Sequence, residues 1–255
     1  MGRFTKLEFD STPEPDRPGR PQDIGPDILF LQAEREYRDG NFEQALRYYS
    51  RALECDKLMV EAWRRQVVIL IELAEFSEAA LWADKASELF PNDPDLLAGQ
   101  ACALCRLGDV KQALKIVDRA IRLPGSSPYP WISRGEVLLA TKEGRYDYCF
   151  SKAVTMAPTS WNVLAQVGRV YQYYGIYSKA IEYFKRSMGC DASVLFIYLE
   201  TARCQKALGL LSHARAALQQ LLRVNPKHTE ARRELESLSS GTGRISGFFR
   251  RLFGR

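Results

Sequence analysis

The stretch AEREYRDGNFEQALRYYSRAL, residues 33–53, decides the fold. After the Gly40–Asn41 break, Phe42, Ala45, Leu46, Tyr49, Ala52 and Leu53 recur at i, i+3, i+4 and i+7. That spacing lays one apolar stripe along an amphipathic helix. A second apolar helical stretch precedes the break, and a glycine turn folds the two against each other. Small residues at Ala33, Ala45 and Ala52 let the paired helices approach closely.

The same signals return along the chain, which makes the period the primary observation. Small residues stand at Ala33, Val67, Ala101, Gly135, Gly168 and Ala202, in steps of 34, 34, 34, 33 and 34. A second column holds Ala45, Ala79, Ala113, Ala180 and Ala214. A third holds Ala52, Ala86, Ala120, Ala153, Ser187 and Leu221. Gly40, Ala74, Gly108, Gly175 and Gly209 mark the turns, and Pro91, Pro158 and Pro226 mark helix stops. One helix pair cannot bury its apolar face alone, whereas stacked pairs share a continuous core.

Both AEREYRDGNFEQALRYYSRAL and VGRVYQYYGIYSKAIEYFKRSM, residues 167–188, show a small–aromatic–Gly–aromatic–Ala–aromatic order. In period and residue types the chain resembles the tetratricopeptide repeat family. The resemblance covers residues 26–228 as six units: 26–59, 60–93, 94–127, 128–160, 161–194 and 195–228. It implies an all-α fold, a right-handed α-solenoid of stacked antiparallel helix pairs. It says little about function, because the family is a scaffold class. The fourth unit departs from the pattern in RGEVLLATKEGRYDYCFSKAVTMAP, residues 134–158. Taking Gly144 as its turn shortens the second helix by most of a turn. Two readings stay open there, a joint between two three-repeat halves or plain degeneracy.

Beyond Pro226, KHTEARRELESLSS reads as a capping helix over 229–239, with Ala231, Leu235 and Leu238 on its inner side. Residues 1–25 hold four of the twelve prolines and alternate in charge, so a disordered or extended leader is expected. Phe4, Leu7 and Phe9 at its head could form a short docking segment or a loose terminus.

Chemistry is sparse. His213 and His228 have no partner at ligand spacing and are expected at the surface. Cys102 and Cys105 form CALC on a helical stretch, without the further ligands a zinc site needs or the strand-to-helix turn of a redox motif. They are expected as small apolar residues. Gly-rich phosphate loops are absent. The expectation is therefore a protein that is not an enzyme, with no metal and no cofactor. Six scattered cysteines suit reduced thiols and a cytoplasmic location. No apolar run approaches the ~18 residues of a membrane span, and the start lacks the apolar core of a secretory signal.

Of the formal net charge of +5, residues 240–255 supply +4 through Arg244, Arg250, Arg251 and Arg255. The rest of the chain is nearly neutral, so nucleic acid is not expected as a partner.

The resemblance places the first helix of each pair on a concave groove that binds peptides or helices. Carried over by position, the expected partner-binding residues are Tyr129, Asn162, Arg169, Gln172, Tyr173, Phe196, Arg203 and Lys206. Acids dominate the first half of that groove (Asp27, Glu34, Glu61, Glu72 and Asp95 against Arg64). Arg169, Arg203 and Lys206 dominate its end, with no acid assigned there, which suits an acidic or carboxylate-terminated peptide. The places of the family's chaperone-tail clamp hold Phe30, Glu34, Arg65, Asp95 and Gly99, so that clamp is absent. Exchanging Arg169 and Arg203 for Glu is expected to weaken a partner without unfolding.

The tail RISGFFRRLFGR, residues 244–255, sets Ile245, Phe248, Phe249, Leu252 and Phe253 on one helical stripe. Arg244, Arg251 and Arg255 fall opposite and Arg250 lies at the flank. With Gly247 inside twelve residues it should fold only on binding. An anionic membrane surface, a groove on a protein partner, or this chain's own acidic half would each suit it. Two functional readings result. The first is a scaffold that binds protein or peptide partners, with the tail as a second attachment point. The other is a peripheral membrane protein anchored by the tail, its repeats recruiting cargo.

Overall fold

The computed structural model describes residues 24–125 and 127–239. The expectations for the leader and for the tail residues Ile245, Phe248, Phe249, Arg250, Arg251, Leu252, Phe253 and Arg255 lie outside the described residues. Thirteen α-helices and no strand occur among those described. They are α1 (Pro26–Asp39), α2 (Phe42–Cys55), α3 (Val60–Glu72), α4 (Phe76–Leu89), α5 (Pro94–Leu107), α6 (Val110–Arg122) and α7 (Pro128–Ala140). Then come α8 (Tyr146–Met156), α9 (Trp161–Tyr173), α10 (Tyr177–Cys190), α11 (Leu195–Ala207), α12 (Leu211–Val224) and α13 (Thr229–Ser239). The fold is an all-α helical repeat. It divides into two compact units, one ending at Gln166 and one beginning at Val167.

Local chemistry sets the helix ends. Pro26, Pro94 and Pro128 open α1, α5 and α7 at positions where a missing N–H costs nothing. Asp93 accepts from the amides of Asp95 and Leu96, and Ser127 from that of Tyr129, which satisfies N-terminal donors. Helices α1 and α5 stop at Gly40 and Gly108, in the left-handed region at φ 86° and 94°.

The fourth turn corrects the sequence reading. Lys142, not Gly144, takes the left-handed conformation there, at φ 59°. Lys142 continues the column of Gly40, Ala74, Gly108, Gly175 and Gly209, all of which have positive φ. Ala74 and Lys142 carry a Cβ in that region, a strain of roughly 1–2 kcal/mol each. Helix α8 has 11 residues, shorter than the 13 or 14 of α1–α7.

The small-residue columns are the seams of the core. Ala45, Ala79, Ala113, Ala180 and Ala214 are completely buried, as are Ala52, Ala86, Ala120 and Ala153. A methyl group built on Gly135 would lie 2.4 Å from the Phe150 ring, and one on Gly168 would lie 2.7 Å from the Phe184 ring. In each of these two repeats, then, a glycine on the first helix admits an aromatic from the second.

Within the unit ending at Gln166, each helix packs on the next from α1 to α7. In addition, α3 touches α5 and α5 touches α7, so the first helices of the pairs form a layer of their own. Trp161, the first residue of α9, stands 6.3 Å from the Tyr37 ring and beneath the Arg38 guanidinium. In the unit from Val167, α13 packs on α12 and buries Ala231, with Leu235 and Leu238 against Leu195, Ala214 and Leu218. His228 is not at the surface as expected. It is buried, and its Nδ1 accepts the Ala231 amide at 3.2 Å, capping α13.

Candidate partner-binding face

The outward side chains of the first-helix layer are joined by ion pairs that step from one repeat to the next. In the unit ending at Gln166, Arg65 of α3 lies 2.9 Å from Glu34 of α1. Arg64 reaches Asp93 at the start of α5 through its Nε at 3.1 Å, and Glu61 of its own helix at 3.0 Å. Arg106 of α5 pairs with Glu136 of α7 at 2.7 Å. Ser127 donates to Asp95, and Tyr49 donates to Glu34 at 2.5 Å. Each base that crosses between repeats sits about thirty residues from its acid, close to one repeat.

The Arg106–Glu136 pair is buried. Glu136 is completely enclosed and the Arg106 side chain is 8% exposed. The Cys102 thiol donates to the other Glu136 oxygen at 2.6 Å. Burial, and then the neighbouring Glu136 carboxylate, push the Cys102 thiol well up. Burial opposes charge on Arg106, but Glu136 beside it holds the guanidinium charged. A protonated, enclosed thiol is the opposite of an activated nucleophile. Among the described residues, no group of three or more His, Cys, Asp or Glu side chains gathers as metal ligands would.

Around these pairs the charge is uneven. Glu34, Glu61, Glu72, Asp93, Asp95 and Glu136 face Arg64, Arg65 and Arg106, with Arg38 stacked on Trp161 at the edge. The face has a net negative charge.

The unit from Val167 carries a second network, centred on Glu200 of α11. Arg169 approaches Glu200 at 3.3 Å, Gln172 donates to it at 2.6 Å and Arg203 lies 2.9 Å away. Burial would raise the Glu200 pKa, but Arg203 and Arg169, with the Gln172 amide, outweigh it and hold the carboxyl below the usual range. Arg203 also pairs with Glu230 of α13, and Lys206 lies 2.8 Å from Glu234. The sequence reading assigned no acid to this end. The structure sets three carboxylates against its three bases, so the basic end is neutralised internally.

The expected residues divide as follows. Tyr129 is half-buried, and burial, then Cys102 and Glu136, push its hydroxyl up. Asn162 is half-buried and accepts from Gln166 at 3.5 Å. Arg169, Gln172, Arg203 and Lys206 belong to the Glu200 and α13 network. Tyr173 sets its ring 5.0 Å from that of Tyr174. Phe196 does not face a partner: it is 1% exposed and fills the core.

A family model for the tetratricopeptide repeat matches residues 30–94. The solved structure of a TPR protein from the thermophile Thermus thermophilus aligns with a TM-score of 0.53 at 16% identity, covering 71% of this chain and 98% of that one. This chain is a tetratricopeptide-repeat protein. The Arabidopsis thaliana protein named Protein CTR9 homolog is 29% identical over 126 residues. That match takes in 47% of this chain and only 11% of the relative's length. The APC/C hetero-tetramer Cut9–Hcn1 aligns with a TM-score of 0.49 at 15% identity, over 84% of this chain and 43% of that one. The solved structures speak to the fold alone.

Sequence reasoning about this TPR protein counts Glu136 among the groove-facing residues of the fourth unit but misses its burial, and it misses Glu200 altogether; these are the acids at the centres of the two networks. The available signal was a base about one repeat away from each: Arg106 lies 30 residues before Glu136, and Arg169 lies 31 before Glu200.

Proposed function

We propose that this TPR protein is a non-enzymatic scaffold that holds a partner peptide on its first-helix layer, with residues 240–255 as a second attachment point. The supporting observation is the net-negative face of α1, α3, α5 and α7, whose charges are fixed by ion pairs between neighbouring repeats. A face ordered before binding loses little side-chain freedom on binding. Its charge favours a basic peptide segment, and steers one in at low salt. Tyr129, beside Gly99 of α5, borders this face, and Asn162 is assigned to it by its place in the repeat. In the unit from Val167, Arg169, Gln172, Tyr173, Arg203 and Lys206 offer a neutral polar face of their own, where bound groups compete with Glu200 and Glu234. The six free cysteines suit a reducing cytoplasm. Among the described residues no helix is long and apolar enough to cross a membrane.

The test is a fluorescence titration of the full chain with an arginine-rich and a glutamate-rich peptide of equal length. The arginine-rich peptide is expected to bind about tenfold tighter or more, with affinity falling as salt is raised. Equal affinities, or preference for the glutamate-rich peptide, would overturn the reading.

A further inference from the structure

The four exposed residues of α1 lie together. Asp27, Ile28, Leu31 and Arg35 fall within an arc of roughly 100° on one side of the helix, while Leu29, Ala33 and Tyr37 fill the core on the other. Ile28 is 53% exposed and Leu31 66%. Neither Asp27 nor Arg35 forms an ion pair among the described residues. The stripe thus has an apolar centre, an unpaired acid toward the helix start and an unpaired base toward its end.

The repeat accounts for the open side. In the unit ending at Gln166, α3, α5 and α7 each have the second helix of the repeat before packed against them. One and two repeats after Ile28, Ala62 and Leu96 are completely buried. The same steps from Arg35 reach Ile69 and Ala103, also completely buried. Among the described residues no helix precedes α1, so the equivalent seam is open at Ile28 and Leu31 and holds a charge at Arg35. What closes it must bring apolar surface to two side chains and a carboxylate to the third.

We infer that this stripe is the contact surface of a homodimer, in which α1 packs antiparallel on α1 of a second copy. Asp27 and Arg35 each stand four residues from Leu31. A two-fold axis at Leu31 therefore sets Asp27 of each copy beside Arg35 of the other, and closes Ile28 and Leu31 against their counterparts. Parallel packing would instead set acid against acid and base against base. None of the four residues takes part in the ion pairs of the acidic first-helix face, so dimer and peptide draw on different side chains.

The experiment is sedimentation velocity of the full chain at low salt, from about 1 to 100 µM. The wild type is expected to pass from monomer to dimer across that range. Asp27→Arg and Arg35→Asp are each expected to weaken dimerisation about tenfold, because the two-fold axis turns both pairs repulsive. The double exchange Asp27→Arg, Arg35→Asp re-forms the pairs, and so does a mixture of the two single variants. Both are expected to return to within about threefold of the wild type. The exchanged positions are exposed, so circular dichroism is expected to show the fold unchanged. A wild type that stays monomeric throughout would overturn the inference and leave the stripe to residues 1–23 or to another protein. Dimerisation indifferent to the single exchanges would overturn it too, as would weakening without recovery in the double exchange and the mixture.

Discussion

Cys102 and Glu136, on α5 and α7 of neighbouring repeats, lie 2.6 Å apart, thiol donating to carboxylate. Glu136 also takes the Arg106 Nε at 2.7 Å and has no exposure to water. This buried knot pins two first helices together behind the acidic face. Replacing Glu136 with Gln leaves the Arg106 charge enclosed without its counter-ion. The expected loss is about 3–5 kcal/mol of unfolding free energy, measured by urea denaturation. A well-packed apolar exchange of the Arg106–Glu136 pair together should cost much less.

The same geometry governs thiol reactivity. Cys55 and Cys190 are exposed, whereas Cys102, Cys105, Cys149 and Cys204 are buried. Burial, then the Glu200 carboxylate, push the Cys204 thiol up as well. Brief treatment of the native chain with iodoacetamide should label Cys55 and Cys190 first, and mass spectrometry should find the other four labelled only after unfolding.

Much of the fold is legible in the sequence because the repeat is enforced by sterics. The column Ala33, Val67, Ala101, Gly135, Gly168, Ala202 is small because second-helix side chains such as Phe150 and Phe184 press against it. The turn column is harder to read at Lys142, since the backbone there accepts a strained non-glycine residue. The acidic side of the first-helix face is also legible, from charge and period together. The burial of Glu136 and Glu200 is not. A buried acid and an exposed one look alike in spacing, and only packing against the neighbouring repeat tells them apart. His228 reads as exposed in the sequence because its capping role depends on α13 folding back onto α12.

Close approach at the glycine column gives a stability test. Gly135→Ala would drive its methyl into the Phe150 ring and Gly168→Ala into the Phe184 ring. Each is expected to lower stability by about 1–3 kcal/mol despite the better helix propensity of alanine. Thermal unfolding of each single variant checks this.

Glu200 makes stability depend on acid. Its folded pKa is depressed by Arg203, Arg169 and Gln172, so its contribution is present above the unfolded value of about 4 and is lost as pH falls through the folded value. The stability gap between wild type and Glu200→Gln should be widest near neutrality and close under acid, as urea unfolding across pH would show. The Arg169→Glu, Arg203→Glu exchange now has a different expected outcome from the sequence reading. It surrounds a buried carboxylate with like charge and should destabilise the unit from Val167 by at least about 3 kcal/mol.

The most direct measurement of the central claim compares two charge reversals of equal size in a titration with the arginine-rich peptide. Glu61→Lys with Glu72→Lys alters the first-helix layer. Glu78→Lys with Glu88→Lys makes the same change on α4, in the second-helix layer. The first pair is predicted to weaken binding about tenfold or more and the second to leave it within about twofold. Equal weakening by both pairs would mean that only net charge matters, and would contradict a binding face on the first helices.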